Sequence, residues 1–153
     1  KIARRVHHFT AVLAHGLKQA GISLAHEHFL TRPFGLMIEG KPWLRSVLAL
    51  PDIPGSLMMA CQVVEGMELS VMQPKDIIAD TLEAMDRAAE TMQCSIAGAI
   101  HFDCGYRRIE IAARDLQTAY HQAISRQPLL GLHSHGESWL GHINQTLTSL
   151  VFG

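Results

Sequence analysis

The sequence is most informative first through what it lacks. Its charge is almost balanced, with 13 Lys and Arg against 14 Asp and Glu and a formal net charge of −1. That balance gives no electrostatic reason to bind nucleic acid or an anionic membrane, and neither partner is expected. No apolar run approaches the ~20 residues of a membrane-spanning helix. No secretory signal is expected. Only three cysteines are present, Cys61, Cys94 and Cys104, without paired spacing. This argues against a disulfide framework and suits a reducing, cytoplasmic compartment. There is no Ser-His-Asp order, phosphate-binding loop or dinucleotide fingerprint, and no internal repeat, linker or low-complexity tract. The chain starts at Lys1 rather than Met, as expected of a piece of a longer protein.

What is there fits one domain. The chain has 153 residues, 48% hydrophobic and 18% charged, and at this size roughly 70% of the unfolded surface becomes buried. Ten histidines are spread along it, which is unlike a purification tag.

Residues 4–20 read as a helix, with Val6, Phe9, Leu13, Leu17 and Ala20 at helical spacing and Gly21 as a stop. Residues 22–32 are ambiguous, since Pro33 disfavours helix just before it. Four short strands are expected at 34–38, 43–50, 56–64 and 67–72, the last two joined by a tight turn at Glu65-Gly66. Pro74 suits the opening of a helix. That helix carries Ile78, Leu82, Met85, Ala89 and Met92 on one stripe, with Asp76 in its first turn and Glu83 and Arg87 paired across a turn. Residues 95–102 form a near-continuous apolar run, the pattern of a central strand. A second amphipathic helix is expected over 107–125, then strands at 129–135 and 143–152. Mixed order with hairpins predicts α+β: a mixed, largely antiparallel sheet with amphipathic helices packed on it.

Two polar clusters follow apolar strands. The first is Asp103, Cys104 and Arg107. If a helix starts near Cys104, Asp103 is its N-cap and the thiol sits at the positive helix end, which lowers a thiol pKa. One reading is a pocket in which Arg107 binds a carboxylate or Asp103 an amine. The other is a helix cap beside an inert cysteine. The second cluster is His133, His135 and Glu137. Alternation on a strand puts both imidazoles on one face, where they could chelate a metal with Glu137. The competing reading is a polar strand rim ended by Gly136. His26-x-His28 is a weaker pair of the same kind. The Met-rich stretches at Met58, Met59, Met85 and Met92 read as core, and Asn144-Gln145-Thr146 is a sequon expected to stay unmodified.

Taken together, Phe102-Asp103-Cys104-x-x-Arg107, Gly131-x-x-Ser134-x-Gly136-Glu137 and Asn144-Gln145-Thr146 entering an apolar strand resemble the C-terminal FIST domain. Val64-Glu65-Gly66 followed by Leu69, and Arg45 on the second strand, fit the same order. The resemblance covers roughly residues 30–153. It implies a sensory domain of bacterial and some eukaryotic signalling proteins that binds small ligands, amino acids among them. Its expected partners are a histidine kinase, a cyclic-dinucleotide enzyme or a chemoreceptor. The N-terminal half usual in the family is absent from this sequence. Some members are similar to haem-binding nitric-oxide sensors, so haem is a candidate cofactor. Leu132 and His135 stand where the family tends to aromatics.

The expectation from residues and resemblance together is a single domain over 1–153 that senses a small ligand without catalysis. Its ligand-binding residues are Asp103, Cys104, Arg107, His133, His135 and Glu137, with Arg107 and Glu137 facing one cavity. The alternatives are a haem-dependent gas sensor that uses His135 or His133, and a metal- or Cys-dependent enzyme.

Overall fold

The apolar run before Asp103 sets the frame. In a computed structural model describing residues 15, 18–19, 21, 26–49, 57–138 and 141–153, it is the middle strand of a sheet. The helix expected over 4–20 lies almost wholly outside the described residues, of which 15, 18 and 19 are helical. The class is α+β, as expected. Contacts cluster in two units, Lys1–Met72 and Gln73–Gly153.

The first unit holds a short helix α1 (His26–Thr31) and strands β1 (Phe34–Ile38), β2 (Lys41–Arg45), β3 (Val47–Ala49), β4 (Met58–Met59) and β5 (Ser70–Val71). β1 and β2 form an antiparallel hairpin. Its two-residue loop, Glu39-Gly40, has both φ angles positive, the twist a tight hairpin demands. Pro42 is tolerated because β2 is an edge strand. Phe29, Phe34 and Val47 form the core, with the two rings stacked at 5.6 Å. The expected strand over 43–50 is interrupted at Ser46. The expected pairing of 56–64 with 67–72 does not form. β4 pairs with β3 and β5 with β1, while Val64 and Met67 close only a turn. Val63, Val64, Glu65 and Gly66 are exposed, so no buried face holds a register there.

The second unit carries helix α2 (Ile77–Met92), strand β6 (Gly98–Cys104), helices α3 (Gly105–Ala113) and α4 (Gln117–Ile124), then β7 (Leu129–Ser134), β8 (Glu137–Ser138), β9 (His142–Ile143) and β10 (Leu147–Phe152). Asp76 caps α2 by accepting from the N–H groups of Ile78 and Ala79, both at 2.9 Å. Glu83 and Arg87 pair on its exposed face, as their spacing predicts. The single helix expected over 107–125 is two. Asp115 adopts a φ of 53°, which aspartate tolerates better than most residues, and the chain restarts at Gln117. β6 is central in the order β10-β6-β7, antiparallel to β10 and parallel to β7. Ile77, Ile111 and Tyr120 form the core of the helical layer.

Candidate functional site

Consecutive residues of a strand leave on opposite faces. β6 runs through both Asp103 and Cys104, so these neighbours point to different sides of the sheet. That parity divides the six expected site residues.

On the helical side, Arg107 Nε donates to Asp103 Oδ1 over 2.6 Å. Its Nη2 donates to Thr81 Oγ1 at 2.8 Å and to Tyr120 Oη at 3.2 Å, and Tyr120 Oη donates to Asp103 Oδ2 at 3.4 Å. All four residues are buried. Burial opposes the Arg107 charge, but the Asp103 carboxylate and Tyr120 outweigh it, and the guanidinium titrates above its ordinary range. This network joins β6, α2, α3 and α4. Asp103 is therefore not the N-cap of α3; Cys104 holds that position, because the strand runs two residues past Phe102. His101 shares this side. It is buried, its Nε2 has no hydrogen-bond partner among the described residues, and burial pulls its pKa below the ordinary value.

On the other side, Ser134 stands in register with Cys104. Ser134 Oγ donates to Glu137 Oε1 at 2.6 Å, and Thr146 Oγ1 donates to Glu137 Oε2. Glu137 is 6% exposed and forms no ion pair among the described residues. Asn144 is 1% exposed; its Nδ2 lies 3.4 Å from His142 Nε2, and its Oδ1 has no partner among the described residues. Gly136, at φ 115°, lets these groups close in: a Cβ there would run into His142 Nε2 and Asn144 Nδ2. The Cys104 thiol is fully buried against this cluster. Burial pushes its pKa up, Glu137 and Asp103 push the same way, and the N–H groups of Tyr106 and Gln145 pull only partly back. The expected lowering at the helix end is thus reversed by desolvation.

Cys104 and Glu137 are brought together, Asp103 and Arg107 form a separate network, and Arg107 does not face the surroundings of Glu137. His133 is exposed beside Asp103, and His135 lies exposed beyond the end of β7. Among the described residues no three His, Cys, Asp or Glu converge to hold a metal, so the His133-His135-Glu137 chelate does not form. For haem, the two expected ligands, His133 and His135, fare no better. Neither exposed imidazole stands on an enclosed apolar wall, and His101 faces Asp103 and Arg107. A cleft of about 290 Å³ between α2 and α4 is lined by Met85, Ala89 and Ile124 with Asp86 and Arg126, and holds no histidine. Sequence reasoning passed over Ser134, Asn144 and Thr146 as site members. Their signal was the motif order itself, which places all three within 13 residues of one another around Gly136.

Residues 10–139 match the FIST C domain, which is most of the chain. This chain belongs to that family. The FIST C domain is a sensory signal-transduction module. A separate, short likeness is to glycine dehydrogenase (decarboxylating): 68% identity over 28 residues with the proteins of Aliivibrio salmonicida (strain LFI1238) and Vibrio cholerae serotype O1 (strain M66-2). These 28 residues are 18% of this chain and 3% of each enzyme. The chain thus spans a very small part of the curated relatives it matches. No solved structure matches. Among the described residues, no helix of this FIST C domain is long and apolar enough to cross a membrane.

Proposed function

We propose that this FIST C domain is a non-catalytic sensor of a small ligand, held where β6 and β7 end, by Glu137, Asn144, Ser134 and Thr146 over Cys104. The observation that carries this reading is the pair Asn144 and Glu137. A buried carbonyl oxygen without a donor is costly, and a buried carboxylate served by two hydroxyls retains acceptor capacity. A ligand bearing N–H or O–H donors satisfies both. The carboxyl ends of parallel strands are also a recurrent place for ligands.

Support for a non-catalytic role comes from the Cys104 thiol, whose pKa burial raises, and from Arg107, whose charge is matched by Asp103. The same network offers a route for a signal. A ligand that moves the Cys104–Gly105 junction moves α3, and Arg107 ties α3 to Thr81 on α2 and Tyr120 on α4. Binding then shifts the balance between two arrangements of the helical layer. A histidine kinase, cyclic-dinucleotide enzyme or chemoreceptor in the cytoplasm reads that shift.

The test is a thermal-shift screen of small polar molecules against the wild type, Asn144→Ala and Glu137→Gln. A ligand at 100 times its Kd stabilises by about 2.7 kcal/mol, a readily measured rise in Tm. The expected result is a hit whose shift disappears in both variants. A hit unaffected by either substitution places the ligand elsewhere and overturns this reading. Titration with haemin is run beside it, and no Soret band is expected.

A further inference from the structure

The central sheet of the second unit has two unlike faces. Helices cover the side bearing Ala99, His101 and Asp103, all buried. Register fixes the other side: Ile100 stands level with Leu130 and Leu150, Phe102 with Leu132, and Gly98 with Phe152. Residues level in a ladder share a face. This one is apolar and open: Phe102 is 36% exposed, Leu132 50%, Leu150 53%, Phe152 48% and Leu130 71%.

We propose that this face is a self-association surface, on which two copies of the chain stack sheet against sheet. Area is the first argument. At roughly 200 Å² for a large apolar side chain, these exposures amount to about 500 Å² per copy. That exceeds the ~400 Å² at which an apolar patch signals interaction, and two such faces together reach the ~1,000 Å² of a specific interface. Charge is the second. The ten face positions of β6, β7 and β10 carry no ionisable side chain except Cys104, which is buried and neutral. A two-fold axis through the face therefore sets no like charges together, and the chain's formal net charge of −1 adds little repulsion at a distance. A face without charge also has nothing with which to select a charged foreign partner. Twisted sheets stack with their strands about 30° apart, an angle that two-fold pairing permits.

Sedimentation equilibrium of the full chain between about 1 and 100 µM tests this. The expected result is a monomer–dimer equilibrium in that range. Leu130→Asp and Leu150→Asp each place a carboxylate in the apolar face of both copies, where pairing would bury it without a partner, and are expected to weaken the dimer roughly 100-fold or more. Leu130 is mostly exposed, so Leu130→Asp is expected to keep the wild-type circular dichroism and melting curve, which separates lost pairing from lost folding. A wild-type monomer at 100 µM overturns the proposal, whether the face then binds a hydrophobic dye or is covered by another part of the chain. A dimer that survives both substitutions overturns it equally.

Discussion

Arg107 Nε reaches Asp103 Oδ1 over 2.6 Å from one helical turn further along the chain, and both side chains are about 90% buried. In a buried ion pair each charge has given up its water and relies on the other. Removing one partner leaves the other charge stranded and costs about 3–5 kcal/mol, while removing both together costs far less. Arg107→Ala and Asp103→Ala are each expected to lower unfolding free energy by about that amount, and the double substitution by less than their sum. Arg107→Lys is expected to rescue little, because an ammonium cannot serve Asp103, Thr81 and Tyr120 in one plane. Urea denaturation of the wild type and the four variants is the measurement. Ligand affinity is expected to survive Arg107→Lys, since the guanidinium does not face Glu137.

His101 predicts an acid limb. Its folded-state pKa lies below the ordinary 6.5, chiefly through burial, with Arg107 adding to the effect and Asp103 opposing it. The unfolded chain therefore binds a proton here more readily than the folded one. The stabilisation is complete above pH 6.5 and is lost progressively as pH falls below it. Unfolding free energy measured between pH 8 and pH 5 is expected to drop, and to drop less in His101→Gln. An equal slope in the two proteins would show that other groups carry the acid limb.

The sequence pattern located the elements of the second unit better than it located the site. The largely apolar run 95–102 announced a central strand, which occupies Gly98–Cys104 and so starts three residues later than expected, and the stripe from Ile78 to Met92 is a helix because its period is unambiguous. Two residues altered the chemistry. Extending β6 through Asp103 and Cys104 turned an expected cap into half of an internal ion pair. It also sent the two side chains to opposite faces, a consequence of strand parity that an end error of two residues inverts. Asp115 broke a helix without glycine or proline to announce it. In the first unit, 56–64 and 67–72 have the composition of strands, but their partners are β3 and β1, and pairing choice is a tertiary matter.

The cysteines should react in the order of their exposure. Cys94 is exposed, Cys61 is half-buried with its pKa raised by burial, and Cys104 is buried with its pKa raised. Mass mapping after iodoacetamide at neutral pH is expected to find Cys94 alkylated first. Cys104 should react slower by roughly 100-fold or more, because its modification waits for local opening. Addition of urea should bring the rates together. Fast labelling of Cys104 in the folded protein would reveal an accessible thiolate and reopen a nucleophilic role.

Gly136 offers the sharpest separation of the site from the fold. Its φ of 115° is one that side chains other than glycine rarely adopt, and a Cβ would meet His142 Nε2 and Asn144 Nδ2. Gly136→Ala must therefore displace His142 and Asn144, and carries backbone strain besides. Together these are expected to cost about 1–3 kcal/mol. Asn144→Ala removes the orphaned carbonyl oxygen with no strain, so its cost in stability should be smaller. Both substitutions disturb the same acceptor, so both should abolish the thermal shift of any ligand that Asn144 receives. Denaturation gives the first ranking and calorimetry the second. The expected outcome is two proteins that differ in stability and agree in lost binding. If Asn144→Ala instead binds as well as the wild type while Gly136→Ala does not, the glycine contributes shape alone and the ligand's donor is met by Glu137.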